Sequence, residues 1–185
     1  MATPRDPMIF SVAGLIFGFV LGYMVANARE SRPPASTTAP AAKSAPALDP
    51  SEVRALTALA AKEKDNPSVR VELGNLYMDS DKCEDAVRWY REALALVPKN
   101  PDIHVDMGAC LVRLTRYDDA LSAFDSALKI DPAHKKAVFN KGVALVQSGR
   151  PKEAIALWED LLKRNPDDPQ LQVLRTQIER LRSQG

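Results

Sequence analysis

The sequence predicts an all-α fold: a solenoid of antiparallel helix pairs behind one N-terminal membrane helix and a flexible tether. Three observations predict it. An uncharged run lies near the N-terminus, a proline-rich spacer follows, and the remainder matches itself at an interval of 34 residues. The chain has 185 residues and net charge +1. Setting aside Arg5, Arg29, Arg32, Lys43, Asp6 and Glu30 leaves 21 basic against 22 acidic residues over 49–185, evenly mixed. That balance lacks the basic footprint of a nucleic-acid binder. Two cysteines, Cys83 and Cys110, exclude a disulfide scaffold and a four-cysteine zinc site.

The first element is residues 8–28, MIFSVAGLIFGFVLGYMVANA, flanked by Arg5 and Asp6 before it and Arg29, Glu30 and Arg32 after it. A helix needs roughly 20 such residues to cross the hydrocarbon core. Ala26-Asn27-Ala28 offers a small-x-small cleavage site, so a cleaved signal peptide is the rival reading. The apolar run exceeds the ~7–15 residues of a signal core, which favours a retained anchor. Within it Gly14, Gly18, Gly22 and Ala26 form one strip of small residues, the pattern that lets helices pack closely in lipid. Self-association or docking on another membrane helix is the expectation there. Glycine is also common in membrane helices generally. The flanking arginines lean toward a cytoplasmic soluble part, with a periplasmic one as the alternative.

Residues 29–48 are the tether. The stretch from Glu30 to Pro50 holds five prolines and six alanines, so it lacks the side chains of a core and the amides of a helix.

The repeats follow. Residues 67–100, 101–134 and 135–168 align without a gap, with columns Gly74/Gly108/Gly142, Tyr77/Leu111/Leu145, Ala86/Ala120/Ala154, Tyr90/Phe124/Trp158, Ala93/Ala127/Leu161 and Pro98/Pro132/Pro166. Apolar residues recur at steps of three and four, a helical period, in two runs per unit. The expected helix pairs are 68–80 with 84–97, 102–114 with 118–131, and 136–148 with 152–164. Each glycine should let its helix approach the alanine of the partner helix, with the aromatic filling the space beyond. This pattern resembles the tetratricopeptide repeat, whose period and G…Y…A…F…A…P signature it reproduces three times. The departures are Arg70, His104 and Val138 at the first-helix tryptophan position, and Leu161 in place of the last small residue.

Two flanking segments complete the stack. In 49–66, Asp49-Pro50-Ser51 supplies a cap and an N-terminal proline for a helix over 51–64. In 169–185, Asp168-Pro169 opens a capping helix that ends near Arg182, with Gln172, Arg175, Thr176, Glu179 and Arg180 facing outward.

No constellation of catalytic residues stands out, so no enzyme, cofactor or metal is expected. His104 reads as a packing residue, because a zinc site needs several ligands together. His134 reads as a solvent-exposed turn residue. Cys83 and Cys110 are expected in one neighbourhood as reduced thiols, with a disulfide plausible in an oxidising compartment.

The resemblance implies a groove lined by the first helices that receives a peptide or helix of a protein partner. Its expected lining is Val71, Asn75, Met78, Val105, Ala109, Val112, Lys136, Phe139, Val143 and Val146. The subtype that grips carboxylate tails is matched only at Asn75 and Lys136, so an apolar segment is the expected ligand. The whole resembles bacterial membrane-tethered tetratricopeptide proteins, single-pass in the inner membrane, that assist envelope complexes. The implied role is a membrane-anchored interaction scaffold. The alternative is a secreted, chaperone-like periplasmic binder released after Ala28.

Overall fold

The structure, a computed structural model, describes residues 47–183. The expected membrane helix, its strip of Gly14, Gly18, Gly22 and Ala26, and nearly all of the tether lie outside the described residues. Eight α-helices occur among the described residues: α1 (Pro50–Lys62), α2 (Pro67–Asp79), α3 (Cys83–Leu96), α4 (Pro101–Arg113), α5 (Tyr117–Ile130), α6 (Lys135–Gln147), α7 (Pro151–Arg164) and α8 (Gln172–Ser183). A short 3-10 turn, Pro169–Leu171, leads into α8. No strand is present among these residues, and no helix there is long and apolar enough to cross a membrane.

Every helix of the three pairs begins one residue earlier than the apolar period alone indicates, and in the first helices capping sets the start. Asn66, Asn100, His134 and Asp168 recur at the repeat interval, and each side chain accepts a backbone N–H of the turn it opens. Proline follows three of them at the first helical position, where its missing N–H costs nothing. The second helices end at Leu96, Ile130 and Arg164. Val97, Asp131 and Asn165 there have left helical geometry, with φ −130°, −131° and −136°, as the proline that follows each requires.

The turn within each pair also repeats. Asp81, Thr115 and Gly149 take positive φ, 57°, 57° and 79°. The amides of Lys82, Arg116 and Arg150 reach back to the carbonyls of Tyr77, Leu111 and Leu145, and those of Asp81, Thr115 and Gly149 to Met78, Val112 and Val146. This is the Schellman closure, which satisfies the last carbonyls of the first helix and reverses the chain for the second. Glycine suits that conformation; the β-branched Thr115 holds it at a steric cost.

Successive helices pack on one another from α1 to α8, and the first helices α4 and α6 also touch. One buried cluster runs from Cys83 to Ile178 through all three pairs. A smaller one, Ala60, Val69 and Leu73, lies under α1. The glycine column meets the aromatic column directly. A β-carbon on Gly74 would lie 2.5 Å from the Tyr90 ring, one on Gly108 2.6 Å from Phe124, and one on Gly142 2.0 Å from Trp158. The expectation that glycine would face the alanine is thereby corrected: the ring lies on the helix backbone itself. The alanines Ala86, Ala120 and Ala154 are fully buried alongside. Leu171, Leu174 and Ile178 of the C-terminal segment close the stack, and Gln172, Arg175, Thr176, Glu179 and Arg180 are exposed.

Candidate functional site

Helices α2, α4 and α6 place their ninth residues, Asn75, Ala109 and Val143, in one column, and Met78, Val112 and Val146 one turn further on. All six are partly exposed. Val71 and Phe139 are partly exposed as well, and Lys136 is exposed. Val105, which shares their column in α4, has no exposed surface and belongs to the core. It does not line the face, and a charge placed there would be buried.

Polar contacts tie this face together across repeats. Lys136 Nζ donates to Asp106 Oδ1 at 2.7 Å, linking α6 to α4. The His134 ring meets Asp102 at 3.1 Å, and Arg113 donates to the Met78 carbonyl at 2.9 Å. Tyr90, on α3, passes its ring under Gly74 and its hydroxyl donates to Asn75 Oδ1 at 2.7 Å. Burial, with the nearby Asp106 carboxylate second, pushes the Tyr90 phenol far above its ordinary range, so it stays a donor. Trp158 Nε1 donates to the Phe139 carbonyl at 3.2 Å, and the Phe139 ring stacks on it with centroids 6.2 Å apart. A pocket of about 370 Å³ opens between α2 and α4, with Val71 and Ile103 among its apolar lining and Glu72, Asp102 and Asp106 around it.

The residues set aside by sequence reasoning are also placed. His134 is a helix cap: its Nδ1 accepts the Ala137 amide at 3.2 Å, and its side chain is only 13% exposed. The expectation of a solvent-exposed turn residue is corrected. The 34-residue recurrence of Asn66, Asn100, His134 and Asp168 was the available signal. His104 packs, as expected, with Nε2 bonded to the Pro98 carbonyl at 3.1 Å. Arg70 occupies the same column and donates to the Asn66 carbonyl at 2.9 Å. Cys83 and Cys110 are free and buried. Burial first, then a hydrogen bond with Cys83, pushes the Cys110 thiol up, which suppresses the reactive thiolate. Among the described residues, no three His, Cys, Asp or Glu side chains gather as metal ligands.

Stacked helix hairpins of fixed length, with glycine against aromatic within each pair, define a helical-repeat protein. Two family profiles identify the repeat, one described as a TPR repeat over residues 74–115 and one as a tetratricopeptide repeat over 111–178. Over that span, more than half of its length, the chain belongs to the tetratricopeptide-repeat family. The family is generally a non-catalytic module for protein interaction.

Solved structures agree. The chain is similar to the Arabidopsis OM64 TPR domain, at 25% identity and TM-score 0.56, over 62% of this chain and 94% of that one. It is similar to MamA at 19% identity and TM-score 0.58, over 62% of this chain and 67% of that one. It is also similar to the first TPR of Spaghetti (RPAP3), solved with the HSP90 peptide SRMEEVD, at 22% identity and TM-score 0.57, over 63% and 95%. No curated protein matches in sequence.

Proposed function

We propose that this protein is a membrane-anchored interaction scaffold whose first-helix face receives an apolar peptide or helix of a partner protein. The observation that carries the reading is the band Met78, Ala109, Val112, Val143 and Val146, partly exposed although its methionine and valines pack against the core. Apolar surface left open in register across three repeats is what a helix-in-groove ligand covers. The anchoring part rests on the uncharged run 8–28, and the small-residue strip Gly14, Gly18, Gly22 and Ala26 would pair that helix in the membrane.

Site-specific photocrosslinking tests the groove. A benzophenone side chain at Ala109 should capture a partner, whereas one at the exposed Ala156 on second helix α7 should not. Ala109→Gln lengthens the side chain at the centre of the face without removing core atoms. It should abolish capture by a probe at Val143 while leaving the melting temperature unchanged. Capture from Ala156 alone would overturn the assignment. The anchor is tested by the intact mass of the membrane fraction, where a mature chain starting at Arg29 would replace it with the secreted binder.

A further inference from the structure

We infer that the segment bound on the first-helix face is a basic amphipathic helix, apolar along one side and lysine- or arginine-bearing where it lies between α2 and α4. This deepens the docking reading above and rests on it. The two side chains that the sequence pattern offers for gripping a carboxylate each have a partner within the protein, although the Asn75 bond uses its oxygen and not the amide N–H groups a carboxylate would need. Asn75 has its oxygen on the Tyr90 hydroxyl at 2.7 Å, and Lys136 has its ammonium on Asp106 at 2.7 Å. Asp106 already neutralises that ammonium, so Lys136, although 60% exposed, offers an acidic ligand no uncompensated charge. Carboxylates meanwhile remain open. Glu72 is exposed, and the Asp102 side chain is 74% exposed beside the His134 ring.

These charges stand on a shaped surface. The pocket between α2 and α4 has Val71 and Ile103 in its lining and Glu72 and Asp102 around it. A lysine or arginine fits such a place by laying its methylene stem on apolar side chains and keeping its charge at the rim. The C-terminal halves of α4 and α6 continue as an apolar band through Val112, Val143 and Val146. An acidic tail would meet repulsion at Glu72 and Asp102, and the Lys136 ammonium is already paired with Asp106. Net charge gives no general pull on cations, since the chain as a whole carries +1. Any preference for a basic ligand must therefore be local.

The test uses the full chain in nanodiscs of neutral phosphatidylcholine, with empty nanodiscs as the blank. Three fluorescent probes are titrated by anisotropy at 0.15 M salt. They are an 18-residue amphipathic helix of leucine, alanine and lysine, the same peptide with glutamate replacing lysine, and SRMEEVD. The lysine peptide should bind at least ~10-fold more tightly than either acidic probe, and the gap should narrow in 1 M salt as the charges are screened. Glu72→Lys with Asp102→Lys should erase or reverse the preference, with helicity checked by circular dichroism. Ala109→Gln should abolish binding of the lysine peptide. Equal binding of lysine and glutamate peptides, both lost in Ala109→Gln, would leave the docking face standing and overturn the basic-ligand inference. Tighter binding of either acidic probe would overturn it as well. Lysine-peptide binding that survives Ala109→Gln, or no binding of any probe, would overturn both readings.

Discussion

Repeats 1 and 3 solve one packing problem with different aromatics, and the choice changes the face they present. In both, a glycine of the first helix lies under a ring from the second, Gly74 under Tyr90 and Gly142 under Trp158. Tyr90 carries its hydroxyl through to the far side, where it holds Asn75. Trp158 is wider and ends its polar reach on the backbone carbonyl of Phe139, with the Phe139 ring stacked on it. In repeat 1 the second-helix ring thus fixes a polar side chain, Asn75, at the position where repeat 3 shows Val143.

The harshest way to break the comparison is to remove a ring. Trp158→Ala should cost about 3–5 kcal/mol, as for large aromatic truncations in packed interiors. Because α8 packs on α7, amide exchange in α8 should speed up with it. Tyr90→Ala should fall in the same range but speed exchange in α2 before α8. Loss of α8 protection equally in both would mean the repeats act as one unit rather than as neighbours.

Filling the glycine is milder. Gly142→Ala puts a methyl group 2.0 Å from Trp158, against 2.5 Å from the ring for Gly74→Ala. Overpacking of this kind costs about 1–3 kcal/mol, less the helix-propensity gain of alanine. Urea denaturation should rank Gly142→Ala below Gly74→Ala in midpoint. The reverse order would mean the indole shifts more freely than the phenol.

Tyr90→Phe keeps the ring and removes the hydroxyl, with its bond to Asn75 and its weaker contact to the Met78 sulfur at 3.7 Å. It should cost about 1 kcal/mol, the net value of one hydrogen bond. Near-zero change would show water replacing the hydroxyl at once, leaving Asn75 available to ligands.

The smallest effect concerns the far edge of repeat 3, where Lys135 donates to Asp168 at 2.5 Å. That bond, followed by one from the Gln170 amide, lowers the Asp168 carboxyl below its usual value near 3.8. A lowered carboxyl stabilises the fold at pH values above that value, and the contribution fades as pH falls through it. Asp168→Asn keeps a good cap and removes the charge. Its melting temperature should fall slightly below wild type at pH 7, and the two should converge only as pH drops below the lowered Asp168 carboxyl. A gap that persists in acid would assign the effect to the cap and not to the lysine.

The helices, their pairing and their core columns were legible in the sequence because each contact behind them is local and repeated. Gly74 meets Tyr90 within one hairpin, and the cap residues Asn66, Asn100 and Asp168 act on the next few amides. Three copies of such a contact make a column that one chain displays by itself. His134 hid among those caps because histidine is not one of the usual cap residues, although it stands at the same interval and its Nδ1 takes an amide as they do. The face was legible only as a strip of positions. Val71, Val105 and Phe139 share one column, yet Val105 alone is fully buried, and α4 is the first helix on which α6 packs. Which polar groups are already partnered was likewise settled by contacts 30 and 15 residues apart, Lys136 on Asp106 and Tyr90 on Asn75. The sequence by itself determined the repeat, because period and helix caps are short-range. Only the tertiary structure decided what the face offers a ligand, because satisfying a side chain depends on the neighbour that stacking brings to it.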